Sequence, residues 1–287
     1  MKKSPYQVAI QDYDKNFEKY LNKIFSEYRQ EKYSDSLWLA GPTSYVFSLC
    51  GQKFAVDMQI RRKIDFEKLM PRLTTLLSDI SFVLITHQHD DHMCIPLMRA
   101  LKDTPIRWYI PRGVPIDLIK ASELKEENIV WVSSGDCFSI GDVDIRAFNS
   151  PHAPKNADVS GVVEVGYEII TPKGKVLLPA DVRDYDYDEY PTFSKVDLCI
   201  SHLWAGNDAL NENLYKPMLE KFALFSSRFK SKRYFLCHLY EIGRTETFMW
   251  HNEHANIVID RLSELLPESV VEIPRLGERY TLFEGEK

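Results

Sequence analysis

Long apolar runs are absent from this sequence. The longest, Phe82 to Ile85 and Val176 to Leu178 among them, fall far short of the ~20 residues that cross a bilayer. The opening twenty residues begin with two lysines but hold no apolar segment, so no secretory signal is expected and the expected location is the cytoplasm. Cysteine pairs are absent too. The five cysteines, Cys50, Cys94, Cys137, Cys199 and Cys237, form no CxxC and are odd in number, so free thiols in a reducing cytoplasm are expected. All five read as small buried hydrophobes. An excess of basic charge is also missing. Lys and Arg number 36 against 42 Asp and Glu, a net charge of −6, so nucleic acid is not an expected partner. No stretch rich in Pro, Gly or Ser divides the chain, and no internal repeat is visible.

What remains is an ordinary globular composition, 44% hydrophobic over 287 residues, enough for a large core. Residues 5–30 read as an amphipathic helix, with Tyr13, Phe17, Tyr20, Leu21, Ile24 and Tyr28 on one stripe. The expected organisation is a helical extension over 1–36, followed by one domain over 37–287. The stripe either packs on its own domain or joins two copies into a homo-oligomer.

From residue 38, short β-branched and aromatic runs alternate with helical stretches. Strands are expected at 45–49, 53–56, 82–86, 107–110, 129–132, 143–148, 162–170, 175–178, 196–201, 233–237 and 270–273. Helices are expected near 66–78, 94–102, 114–121, 213–229 and 252–266. This pattern predicts an α/β (α+β) domain in which sheets lie between helices.

The informative segment is Thr86-His87-Gln88-His89-Asp90-Asp91-His92, directly after an apolar strand. Residues two apart in an extended segment face the same side, so His87 and His89 point together. Asp91 and His92 fall at the start of the next helix, whose N-terminus is expected to keep His92 neutral and able to ligate. Imidazole nitrogen and carboxylate oxygen at this spacing suit two neighbouring Zn²⁺, Mn²⁺ or Fe ions. Four later strands also end in a candidate ligand: His152, Asp181, His202 and His238. Ligand sites of open α/β sheets gather beyond the carboxyl ends of strands. The other two histidines, His251 and His254, read as surface residues or as supports behind the ligands.

These residues resemble the metallo-β-lactamase superfamily. THQHDDH at 86–92 is the specific motif, followed in order by His152 in NSPHAP, Asp181 in LLPAD and His238 in FLCHL. The resemblance implies a four-layer αβ/βα sandwich with a dinuclear metal site. His87, His89 and His152 would hold one ion, Asp91, His92 and His238 the other, and Asp181 would bridge them. It also implies that Asp57, in KFAVD, orients a ligand histidine. The segments WLAGPTSYVF, KFAVD, VGYEIITPKGKVLLPAD and RYFLCH resemble the branch that includes ascorbate-6-phosphate lactonase. His152 departs from that lactonase's pattern and fits a full two-metal enzyme better.

The expected function is therefore metal-dependent hydrolysis, with a metal-bridging hydroxide cleaving a small-molecule lactone, ester or phosphodiester bond. Asp91, Asp181 and His202 are the expected catalytic residues, His202 as proton donor to a leaving group. Trp204, Asn207, Asp208, Tyr240 and Arg244 are the expected substrate contacts, Arg244 as a clamp for a phosphate or carboxylate. The alternatives are a nuclease or phosphodiesterase acting on RNA or nucleotides, a mononuclear iron oxygenase of the same fold, and a non-catalytic sensor.

Overall fold

The computed structural model describes residues 4–59, 66–153, 162–241 and 243–283. Helix α1 (Pro5–Glu27) opens the chain, with Ser4 as N-cap and Gln7 closing a reciprocal capping box. The first sheet uses β1 (Ser36–Leu39), β2 (Tyr45–Leu49), β3 (Gln52–Val56), then β4 (Phe82–Leu84), β5 (Arg107–Pro111) and β6 (Ile129–Val132). Between them lie α2 (Phe66–Leu77), α3 (Ile95–Ala100) and α4 (Ile116–Ser122). The second sheet uses β7 (Cys137–Ile140), β8 (Val143–Asn149), β9 (Val165–Thr171), β10 (Gly174–Ala180), β11 (Leu198–His202), β12 (Arg233–Cys237) and β13 (Val270–Glu272). Helix α5 (Glu212–Ser227) follows β11 and α6 (Asn252–Leu265) follows β12. The last strand, β14 (Arg279–Thr281), returns to the first sheet beside β1.

Each sheet has seven strands, in the orders β14-β1-β2-β3-β4-β5-β6 and β13-β12-β11-β10-β9-β8-β7. Each is antiparallel in one half and parallel in the other, where helices make every crossover except that from β10 to β11. The pairing fixes where side chains end. Strands β8, β10, β11 and β12 run in one direction, and their carboxyl ends share an edge with the start of β9.

Alternation along the strands separates two faces of the first sheet. Trp38, Val46, Ala55, Val83 and Trp108 pack outward with the apolar residues of α1, α2 and α3. Leu37, Phe47, Phe54, Phe82 and Leu84 pack inward against Ile145, Tyr167, Val176, Ile200 and Phe235 of the second sheet. The outer face of the second sheet is covered by Leu219 and Phe222 of α5 and by Val258 and Leu262 of α6. The result is the four-layer helix–sheet–sheet–helix sandwich. Phe47, Phe54 and Phe82 form a stacked ladder across β2, β3 and β4, with ring centroids 4.9 and 4.6 Å apart. Each such buried ring contributes about 1.5–3 kcal/mol of burial free energy.

The stripe of α1 lies in the chain's own core, where Tyr13, Phe17, Leu21, Ile24 and Tyr28 are all buried. No helix among the described residues is long and apolar enough to cross a membrane. Three strands carry no clear sequence signal. Strand β1 is buried at all four positions and so has no alternation, while β7 is an edge strand of mixed polarity and β14 has three residues. The strand expected at 162–170 starts three residues later, which leaves Glu164 at the site edge. Two of the cysteines differ from expectation: Cys137 is exposed and Cys50 only half-buried, because they sit at a sheet edge and a hairpin turn.

Candidate metal centre

Strand breaks build this site. Asp57, Ala180 and His238 take left-handed backbone angles, with φ of 50°, 66° and 65°. Non-glycine residues rarely adopt that region, and such strain clusters at functional sites. Here each break stops β3, β10 or β12 where a carboxylate or imidazole is delivered. After β4, the carbonyl of His89 accepts hydrogen bonds from the backbone of His92 and Met93, at 3.0 and 2.7 Å. The Thr43 hydroxyl donates to the Asp91 carbonyl. The motif is thereby folded back on itself.

Two groups of donor atoms result. Those of His87, His89 and His152 all lie within 4.8 Å of one another, and so do those of Asp91, His92, Asp181 and His238. Nε2 of His87 is 3.0 Å from Nδ1 of His89. Nε2 of His92 is 3.4 Å from Oδ2 of both Asp91 and Asp181. Nε2 of His238 lies 3.4 and 3.7 Å from the same two oxygens.

Carboxylates stand behind these groups. Asp57 is fully buried and accepts from the Thr86 backbone at 2.8 Å, the Thr86 hydroxyl at 2.6 Å and His92 Nδ1 at 2.8 Å. Glu164 accepts from His152 Nδ1 at 2.7 Å. Its other neighbour is His87 Nδ1, 3.4 Å away. Glu241 lies 3.0 Å from His238 Nε2 and pairs with Arg244. Sequence reasoning missed Glu164 and Glu241. A glutamate set in the otherwise apolar start of VVEVGYEII was the available signal for the first; Glu241, in a loop, had none.

Burial and charge set the protonation. Burial first, and neighbouring cations next, hold His89 down to about 4 and His152 down to about 3. His87 is lowered in the same way. Burial alone would also lower His92 and His238, but carboxylates outweigh it. Asp181, Asp91 and Asp57 raise His92, and Asp181, Asp91 and Glu241 raise His238 to about 10. The expectation that a helix N-terminus keeps His92 neutral is therefore corrected. Helix α3 starts only at Ile95, and in the metal-free chain three carboxylates dominate.

Asp91 Oδ2, Asp181 Oδ2, His92 Nε2, His152 Nε2 and His238 Nδ1 are buried without a hydrogen-bond partner. Buried polar atoms are rarely left so. The Asp91, Asp181 and His92 atoms belong to one donor group and His152 to the other, which suits cations with O and N donors.

His202 has a different role from the one expected. Its Nδ1 meets Asp181 Oδ1 at 2.7 Å and its Nε2 meets the Tyr45 hydroxyl at 2.7 Å, with the ring buried. Both nitrogens are engaged, so the ring holds Asp181 rather than reaching a leaving group. His254 is also buried, its Nε2 2.9 Å from the Ala209 carbonyl, and it anchors a loop.

A cavity of about 480 Å³ opens on the centre, lined by His89, Asp91, Arg183, Glu241, Arg244 and Phe248 among others. Of the expected substrate contacts, only Arg244 lines it. Tyr240 lines a second cavity of about 940 Å³ beside α1, and its hydroxyl accepts from the Asn252 backbone. Trp204 underlies Arg183, Asn207 is solvent-exposed, and Asp208 accepts from the Leu210 backbone in a turn.

The family model of the beta-lactamase superfamily domain matches residues 58–238, more than half of the chain. The chain belongs to the metallo-β-lactamase superfamily. The strand-end residues read above fall inside the match, except Asp57 just before it. Solved structures agree on the fold. CmlA, a diiron beta-hydroxylase from Streptomyces venezuelae, superposes with a TM-score of 0.61 at 15% identity, over 88% of this chain and 54% of that one. The chain thus spans about half the length of the hydroxylase. A possible metal-dependent hydrolase from Veillonella parvula gives 0.57 at 14% identity, over 87% of this chain and 99% of that one. The metallo-beta-lactamase fold protein YhfI from Bacillus subtilis gives 0.54 at 14%, over 83% and 90%. A search of the curated proteins finds no match.

Proposed function

We propose that this superfamily enzyme is a two-metal hydrolase that cleaves a lactone, ester or phosphodiester bond of a small molecule. One observation carries the reading: seven donor residues form two adjacent groups, with carboxylates behind them and a cavity in front. His87, His89 and His152 would hold one ion and Asp91, His92 and His238 the other, with Asp181 shared. The all-N/O donor set suits zinc, and manganese or iron by the same chemistry. When bound, such a pair of ions lowers the pKa of water toward ~7 and polarises the scissile oxygen.

The chain's own residues do the positioning. Asp57 and Glu164 accept hydrogen bonds from Nδ1 of His92 and His152, which turns each Nε2 inward as the atom that would meet an ion. His202 fixes one oxygen of Asp181 and leaves Oδ2 for the centre. Asp91 faces the cavity, where its carboxylate is placed to accept the proton of the attacking water and hand it to the departing oxygen. A cavity of about 480 Å³ suits a small molecule rather than a polymer.

The test is turnover of bis(p-nitrophenyl) phosphate and of a simple lactone by protein reconstituted separately with Zn²⁺, Mn²⁺ and Fe²⁺, beside Asp181→Ala. Metal-dependent turnover of either substrate, lost in the variant, supports the reading. Absence of hydrolysis with every metal, together with oxygen uptake in the iron form, overturns it in favour of an oxygenase.

A further inference from the structure

Arg183 is the unusual group on the cavity wall. Its backbone N–H donates to the Pro151 carbonyl at 3.1 Å, which ties it to the loop that carries His152. Its guanidinium carbon lies 5.5 Å from the centroid of the Trp204 ring. Its Nε is buried without a hydrogen-bond partner. Among the described residues no carboxylate forms an ion pair with it. Arg244, on the same cavity, differs: Glu241 accepts its Nε–H and lies beside His238. The acidic Asp90 on the rim is exposed to solvent.

Arg183 is half-buried, and a guanidinium whose Nε is buried without a partner is stabilised by an anion that pairs with it. A guanidinium fork lying over an aromatic ring matches the two oxygens of a carboxylate or phosphate. His89 and Asp91 line the same cavity, so an anion on Arg183 would sit next to the reacting centre.

We propose that the substrate carries an oxyanion, phosphate or carboxylate, and that Arg183, braced on Trp204, is the residue that selects it. This rests on the hydrolase reading above for its catalytic consequence, but not for the anion site itself.

The experiment uses the metal-loaded protein and three p-nitrophenyl substrates: bis(p-nitrophenyl) phosphate, the mono-p-nitrophenyl ester of succinic acid, and neutral p-nitrophenyl acetate. Arg183→Gln is expected to lower kcat/KM on at least one anionic substrate by about 30-fold, the scale of a lost charged hydrogen bond, with the neutral ester changing less than about 3-fold. Which anion responds identifies phosphate or carboxylate. Arg183→Lys, which keeps the charge and loses the fork, is expected to recover part of the loss. Metal content of each variant is measured alongside, so that a damaged centre is recognised. An equal fall on all three substrates, or none on the anions, overturns the assignment. If the wild-type protein hydrolyses nothing, the hydrolase reading fails, and calorimetric titration with inorganic phosphate and with succinate decides the anion site. Binding of either anion weakened about 10-fold or more in Arg183→Gln supports the site, and equal affinity for both overturns it.

Discussion

Asp57 Oδ2 lies 2.8 Å from His92 Nδ1, and both side chains are fully buried. The same carboxylate holds the backbone and hydroxyl of Thr86, the residue that opens the histidine motif. One side chain from β3 therefore sets both the entry of the motif and the tautomer of one of its histidines.

Asp57→Asn keeps the size of the side chain and loses its charge. It is expected to weaken binding at the group formed by Asp91, His92, Asp181 and His238 by about 10–100-fold, as for other residues that orient metal-bound histidines. The other group should keep its metal. Competition with a coloured chelator, followed step by step, measures the two affinities separately. Equal weakening of both steps would count against the orienting role.

His202 separates two accounts of the site. With both nitrogens engaged by Asp181 and Tyr45, His202→Asn is expected to lower kcat by misplacing Asp181 while the shape of the pH–rate profile stays the same. Loss of the alkaline limb alone would restore His202 as a proton donor, because that limb reports the essential acid. The profile of the variant over pH 5–10 is the measurement.

Much of this was legible in the sequence. Helices α2, α5 and α6 follow their 3.6-residue patterns closely, and the motif at 86–92 named the first donors because two histidines two apart must face one way. His152, Asp181, His202 and His238 do gather on one edge, since β8, β10, β11 and β12 run the same way. The pairing behind them was not legible. His202 looks like a ligand because it ends an apolar strand, yet its ring turns to Asp181 and Tyr45. Glu164 supports His152 from twelve residues further along, a spacing that no helix or strand period pairs. Arg183 gained meaning only once Trp204 and the cavity were placed beside it.

The metal-free protein should lose stability on both sides of about pH 6.5, the unfolded value for histidine. His89 and His152 titrate near 4 and 3 when folded, below that value. The unfolded chain then binds more protons, so their contribution is complete above ~6.5 and declines as the pH falls toward 4. His238 titrates near 10 when folded, above that value. Its contribution is complete below ~6.5 and is lost as the pH rises through 10. Urea midpoints of chelated protein between pH 4 and 10 are expected to peak near neutrality. Loading with zinc should remove the alkaline decline due to His238, because a ligating ring stays unprotonated. An alkaline decline unchanged by metal would contradict this.

The account's central claim is that the two donor groups are two metal sites, and counting metals tests it most directly. Chelated protein is reconstituted with Zn²⁺ and, separately, with Mn²⁺, dialysed, and analysed for metal per chain, beside His152→Ala and His238→Ala. The expected result is about two ions in the wild-type protein and a fall to about one in each variant, in line with the two separate donor sets. One ion or fewer in the wild-type chain with both metals, or a content indifferent to His152→Ala, would contradict it.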